Sequence, residues 1–247
     1  GESGDGGGSG EDGGRRADGR IRRQRRGARA PAGGGDRLQK TRGRSASSRQ
    51  WLERQIKDPY AGAARRQGYR SRAAFKLIEI DDKHRLLRPG QRVLDLGAAP
   101  GGWCQVAAER VGAEGTVLGL DLLEIDPLPG VRLLQGDITE PETAAALRAA
   151  LEGPADLVLS DMAPNATGHR PTDQLRVLAV VEAALDLAEA VLRPGGAFLA
   201  KTLQLGGAQD LMTRLKRDFD SVRHVKPPAS RQESAELYLL AEGYRPP

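Results

Sequence analysis

Val93-Leu94-Asp95-Leu96-Gly97-Ala98-Ala99-Pro100-Gly101-Gly102-Trp103 decides how this chain is read. An apolar run ends in an acid, a glycine turn follows, and a glycine pair opens a helical pattern. Strand, tight loop and helix in that order place a nucleotide-like ligand at the carboxyl end of a parallel strand. The glycines do not follow the dinucleotide fingerprint, because three residues separate Gly97 from Gly101. A loop that cradles a pyrophosphate offers free backbone N–H groups beside a helix N-terminus, and Pro100 removes one of them. The loop therefore suits a ligand without phosphates, and S-adenosylmethionine is the candidate. A tight turn with no ligand is the plainer alternative.

Outward from this stretch, strands and helices alternate from Pro89-Gly90 onward. Strands are expected at Arg92–Leu96, Thr116–Leu120, Val131–Leu134, Leu157–Ser160, Ala197–Ala200, Val222–Val225 and Leu237–Ala241. Helices are expected at Trp103–Val111, Glu142–Leu151, Asp173–Leu192 and Ala208–Phe219. In the long helix Leu175, Leu178, Val181, Leu185 and Leu192 fall on one side. This alternation builds an α/β, Rossmann-like fold with a seven-stranded, mainly parallel sheet and helices on both faces. The last two strands have no helical pattern between them, so they pair antiparallel. Before Pro89, a helix is expected at Ser47–Lys57, where Trp51, Leu52 and Ile56 keep helical spacing, and Asp58-Pro59-Tyr60 ends it. A second helix is expected at Ala73–His84.

Composition divides the chain further. The 247 residues carry 32 glycines, most of the surplus lying before residue 47, where Gly, Arg, Ala and Ser alternate without apolar periodicity. Such a segment buries too little surface to offset chain entropy. Residues 1–46 are read as a disordered basic tail and 47–247 as one domain. The net charge of +5 and the arginines of the tail point to a polyanionic partner. The cluster Arg65-Arg66-Gln67-Gly68-Tyr69-Arg70-Ser71-Arg72 points the same way, its arginines toward phosphates and Tyr69 toward a base. Cys104 is the single cysteine, so no disulfide forms within the chain and a reducing, cytoplasmic setting fits. No spacing of histidines and cysteines suggests a metal site, and no stretch is long and apolar enough for a membrane span.

Acids recur just beyond strands. Asp121 follows the second strand, where an acid takes ribose hydroxyls. Asp137 follows the third, and Asp161 ends the fourth in Ser160-Asp161-Met162-Ala163-Pro164-Asn165. Any one of them has a plain alternative as a cap or loop carboxylate. Three at consecutive strand ends, together with Asp95, converge on one crevice and suit a cationic cofactor. Lys201 ends the apolar strand Ala197-Phe198-Leu199-Ala200 and faces that crevice. Lys76 and Glu236 would each be a solvated side chain if met alone.

Taken together, these residues resemble the bacterial 2′-O-ribose methyltransferases of large-subunit ribosomal RNA, the FtsJ/RlmE family. The resemblance is carried by Ser71-Arg-Ala-Ala-Phe-Lys76-Leu, Asp95-Leu-Gly-Ala-Ala-Pro-Gly-Gly-Trp103, Ser160-Asp-Met-Ala-Pro-Asn165, Gly195-Gly-Ala-Phe-Leu-Ala-Lys201 and Ser230-Arg-Gln-Glu-Ser-Ala-Glu236. It spans residues 47 to 242 in order and implies a class I methyltransferase fold. It implies a catalytic tetrad of Lys76, Asp161, Lys201 and Glu236, with Lys201 as proton acceptor. It implies cofactor contacts at Gly101, Trp103, Asp121, Asp137 and Asp161, with S-adenosylmethionine as cofactor and no metal. The implied substrate is a uridine of 23S rRNA in the assembled 50S subunit, met by a cytoplasmic monomer. The chain departs from the pattern at Lys201-Thr-Leu-Gln-Leu-Gly-Gly207 and in a less basic stretch before Glu236. Methylation of tRNA, a non-catalytic ribosome-assembly factor of the same fold, and a nicotinamide-dependent oxidoreductase are the alternatives.

Overall fold

The computed structural model describes residues 58–203 and 208–246. The tail at 1–46, the helix expected at Ser47–Lys57 and residues 204–207 lie outside them. In chain order the elements are α1 (Pro59–Gln67), α2 (Ala74–His84), β1 (Arg92–Leu96), α3 (Gly102–Val111), β2 (Thr116–Asp121), β3 (Val131–Gln135) and α4 (Thr143–Leu151). Then come β4 (Ala155–Ser160), α5 (Arg170–Val191), β5 (Leu192–Leu203), α6 (Gln209–Asp218), β6 (Phe219–Val225) and β7 (Glu236–Tyr244).

The seven strands lie in the order β3-β2-β1-β4-β5-β7-β6. From β3 to β5 every pairing is parallel. β7 inserts antiparallel between β5 and β6, as the missing helical pattern between the last two strands required. The order reverses between β1 and β4, and ligands in such sheets bind outside the carboxyl ends at that point. The loop after Leu96 and the residues after Ser160 flank it.

Side chains alternate across the sheet, and each face has its own core. Leu94, Leu96, Leu118, Leu120, Val158 and Phe198 meet α4, α5 and α6 on one face. Val93, Val117, Leu157, Leu159, Leu199 and Tyr238 meet α2 and α3 on the other. Each buried leucine contributes about 1.5–3 kcal/mol. These contacts hold α2 to α6, none of which has a side-chain N-cap.

Two expectations change, and α1 is a helix that the sequence reading does not contain. Asp58-Pro59 starts a helix here: Asp58 Oδ1 accepts from Tyr60 and Ala61 N–H, and Pro59 sits where a missing N–H does no harm. Leu175 is 68% exposed, because the buried stripe of α5 runs through Val177, Val181, Ala184, Leu185 and Ala188. Leu192 belongs to β5, which begins earlier than expected because Leu192 pairs with Ala155 across a register shift in β4.

Candidate active site

The loop after β1 is built from its own amides. Gly97 and Ala98 N–H donate to Leu120 O at 2.9 and 3.1 Å, and Ala99 N–H donates to Asp121 Oδ2 at 2.9 Å. These donors are therefore already committed where a pyrophosphate would need them. Gly97 sits at φ 71°, and a Cβ there would collide with the Met162 side chain, so β1 and the Asp161 segment touch only because Gly97 is glycine. Gly101 sits at φ 111°, and a Cβ on it would lie 2.6 Å from Leu128 Cδ1.

Beside this loop lies a cavity of about 600 Å³, a volume typical of small-molecule sites, walled by Gly97, Asp121, Asp137, Asp161, Met162 and Val180 among others. Three of the five expected cofactor residues thus meet in one space. Asp121 is oriented by Ala99 N–H on one oxygen and by Leu123 N–H at 2.8 Å on the other, and each oxygen keeps a further lone pair. Asp137 is held through Oδ1 by Thr139 N–H and Oγ1 at 2.8 and 2.7 Å, bonds that lower its carboxyl below the ordinary value. Gly101 and Trp103 do not line the cavity. Trp103 is buried, its indole N–H donates to Ala73 O at 2.8 Å, and its ring packs against Tyr238 at 5.7 Å.

The four expected tetrad residues come together from three elements and the segment that follows β4. Lys201, near the end of β5, places Nζ 3.1 Å from Asp161 Oδ1 and donates to Asp161 O at 2.5 Å. Lys76, on α2, lies 2.8 Å from Glu236 Oε1 and 4.0 Å from Asp161 Oδ1. Lys76 is buried, which a helix-face lysine reaches only with a partner. Burial works to raise the Glu236 carboxyl, but the charge and hydrogen bond of Lys76, the Ser230 hydroxyl and the Lys201 charge outweigh it, leaving the group below its ordinary value. Asp161 belongs to both groups, since it also walls the cavity.

Tyr238 and Ser230 join this network although the sequence reading did not single them out. Tyr238 donates its hydroxyl to Asp161 Oδ1 at 2.5 Å, and its ring lies 5.8 Å from Lys76 Nζ. Burial, then the charges of Asp161 and Glu236, push the phenol well above its ordinary value, so it stays a donor. Ser230 donates to Glu236 Oε1 at 2.8 Å. In sequence the one reads as a core aromatic and the other as a loop serine.

Asp95 lies behind the cavity loop, wholly buried, with Cys104 Sγ donating to Oδ2 at 3.2 Å and Oδ1 without a partner. Burial pushes its carboxyl up to about 7, with the charges of Asp161 and Asp121 adding to the effect.

Half of the basic cluster has structural partners in place of phosphates. Arg70 donates to the carbonyls of Pro100, Asp126 and Pro127. Arg72 pairs with Asp58 at 2.9 Å and donates to Ala229 O at 2.7 Å. The Tyr69 hydroxyl donates to Glu109, and its ring packs edge-on against Phe75. Arg65 and Arg66, in the last turn of α1, are exposed. Among the described residues no cluster of His, Cys, Asp and Glu could hold a metal ion, and no helix is long and apolar enough to cross a membrane.

Known proteins are similar to this chain over most of its length. A family model described as FtsJ-like methyltransferase matches residues 69–244. A protein of Xanthobacter autotrophicus named ribosomal RNA large subunit methyltransferase E is 58% identical over 212 residues, 85% of this chain and 84% of its own length. A protein of the same name from Bradyrhizobium sp. strain BTAi1 is 59% identical over 82% of this chain and 89% of its own. A crystal structure from Plasmodium falciparum, of a protein provisionally named a ribosomal RNA methyltransferase, is 32% identical and superposes with a TM-score of 0.65, covering 71% of this chain and 98% of that one. A family model that matches residues 69–244 and relatives 58–59% identical over more than four-fifths of the chain settle the lineage: this chain belongs to the FtsJ-like methyltransferase family.

Proposed function

We propose that the protein methylates the 2′-oxygen of a ribose in large-subunit ribosomal RNA, a uridine of 23S rRNA in the assembled 50S subunit, using S-adenosylmethionine. One observation carries this reading. Asp161 joins a carboxylate-walled cavity to a paired set of two lysines and a glutamate. A cavity with three acids and no free loop amides at Gly97, Ala98 or Ala99 fits a cationic ligand bearing hydroxyls, and the names of the relatives supply the RNA.

S-adenosylmethionine, when bound, supplies a methyl group made electrophilic by its sulfonium. Asp121 would take ribose hydroxyls of that cofactor on its remaining lone pairs, and Asp137 would hold the wall beside it. Gly101 and Trp103 would contribute through the orphan amides at the start of α3, which favour an anionic group. Lys201 takes the proton from the 2′-hydroxyl of the target ribose. To do so it must first give up a proton of its ammonium form, and the amine then has two N–H groups and one lone pair. Asp161 offers two acceptors, its carbonyl and Oδ1, so the lone pair is left for the hydroxyl proton. Lys76, charged against Glu236, keeps a cation beside the developing oxyanion, where fixed charge is most effective. Much of the rate then comes from alignment of the reacting atoms. All four side chains come from one chain, so a monomer suffices, and Arg65 and Arg66 are placed to meet phosphates. The substrate sets the reaction in the cytoplasm, where ribosomes are assembled.

The test is transfer of labelled methyl from S-adenosylmethionine to unmodified large ribosomal subunits, beside naked rRNA and tRNA. Label on the subunit, mapped to one ribose, is expected. Label on tRNA alone would keep the chemistry and replace the substrate. Cofactor binding with no label on any RNA would favour an assembly factor.

A further inference from the structure

We propose that Ser230 is a positioning residue that locks Glu236 onto Lys76, and that Arg72 and Glu79 clamp it in place. The proposal rests on the methyl-transfer reading above and concerns what keeps that site assembled.

The loop between β6 and β7 carries Ser230, which is only 3% exposed. Its hydroxyl and Lys76 Nζ reach the same oxygen, Glu236 Oε1, each at 2.8 Å. A carboxylate held by one donor is free to turn. Two donors converging on one oxygen from different elements fix it.

The preceding peptide explains how Ser230 is held. Ala229 O accepts from Arg72 Nη2 at 2.7 Å, and Ala229 N–H donates to Glu79 Oε2 at 2.6 Å. Both backbone groups of one loop residue are therefore gripped by side chains from the α2 segment. Arg72 sits in the turn just before α2, four residues ahead of Lys76, and Glu79 lies three residues after Lys76 on the helix itself. Lys76 is thus flanked by the two clamps on the loop that orients its own partner. Each clamp is anchored in turn, Arg72 by Asp58 Oδ2 at 2.9 Å and Glu79 by the Tyr60 hydroxyl at 2.9 Å. The Ser230 N–H closes the turn onto Pro227 O at 2.9 Å. A lysine and a glutamate distant in sequence are assembled by this as one unit, and Arg72 is given a task other than binding phosphate.

The charged and titratable groups facing Glu236 are Lys76 from α2, Lys201 from β5, Asp161 after β4 and Tyr238 from its own strand. Removing the Ser230 hydroxyl takes away one donor to ionised Glu236, so its carboxyl becomes easier to protonate.

The experiment compares wild type, Ser230→Ala and Ser230→Thr in the full chain. Methyl transfer is followed from about pH 5 to 9, and Glu236 is titrated directly by carbon NMR without substrate. Ser230→Ala is expected to lower kcat about tenfold, the equivalent of one hydrogen bond. It leaves the KM for cofactor unchanged and moves the Glu236 titration to higher pH, and Ser230→Thr restores both the turnover and the titration. An unmoved Glu236 titration, with kcat falling only in step with the folded fraction, would overturn the proposal. A wild type inactive on every RNA would instead sink the methyl-transfer reading, while the titration would still decide the role of Ser230.

Discussion

At Asp161 a single carboxylate oxygen takes Lys201 Nζ at 3.1 Å and Tyr238 Oη at 2.5 Å, and the same residue walls the cavity. Asp95, close behind it, shows what burying a carboxylate does to stability, with the neighbouring acids adding to the effect. Its carboxyl titrates near 3.9 in an unfolded chain and at about 7 when folded. Between those values the folded protein holds a proton that the unfolded chain has released, so stability falls as pH rises through the window and levels off above it. Asp95→Asn is expected to flatten the dependence between pH 5 and 8. It should stabilise the protein at pH 8 by roughly 2–4 kcal/mol, since each tenfold difference in proton affinity between the two states is worth about 1.36 kcal/mol. Urea unfolding at the two pH values measures this, and a variant as pH-dependent as wild type would refute it. At this scale the acids at strand ends were legible because their position after apolar runs is a sequence property. Lys76 and Glu236 stood out only through resemblance, since alone each reads as a solvated side chain. Tyr238 and Ser230 stayed hidden because their partners are distant in the chain and only folding brings them together.

Among the elements, α1 shows how one signal supports two readings. Asp58-Pro59 reads as a stop for the segment before it, yet the same pair caps and starts the helix that follows. Asp58 caps two amides, and its other oxygen takes Arg72 at 2.9 Å and Arg231 at 3.4 Å. Asp58→Ala should therefore lose more than a cap. A cap alone is worth about 0.5–2 kcal/mol, and the stranded arginine adds to it, for a total near roughly 2–3 kcal/mol. Asp58→Asn, which keeps the caps, should lose less. Denaturant midpoints separate the two, and equal losses would show that the arginine pairing carries the whole effect and the cap none of it. Strands β1 to β4 were legible to within a residue or two, because their apolar runs are bounded by turns, as at Arg92–Leu96, whereas β6 and β7 each run three residues further at one end than expected. β5 was read too short because Arg193-Pro194-Gly195 looks like a loop, and only its pairing with β4 extends the strand across them. The basic cluster was over-read for a related reason. A sequence counts guanidinium charges but does not show the carbonyls of Pro100, Asp126 and Pro127 waiting for Arg70.

Across the whole molecule, the sheet sorts the candidate residues into two groups. β1, β2 and β3 bring the loop, Asp121 and Asp137 to one half of the crevice. β5, β7 and α2 bring Lys201, Glu236 and Lys76 to the other, with Asp161 after β4 between the halves. The architecture was legible because alternating elements and a missing last helix leave few topologies open. The central claim is that the two halves do separable jobs, binding the cofactor and removing a proton. It is tested most directly by measuring S-adenosylmethionine affinity by calorimetry and methyl transfer to large subunits in Lys201→Ala and Asp161→Asn. Lys201→Ala is expected to lose about 10²–10⁴ in turnover with affinity within about threefold of wild type, whereas Asp161→Asn, which touches both halves, loses both. Turnover preserved in Lys201→Ala, or affinity lost in proportion to turnover, would contradict the account.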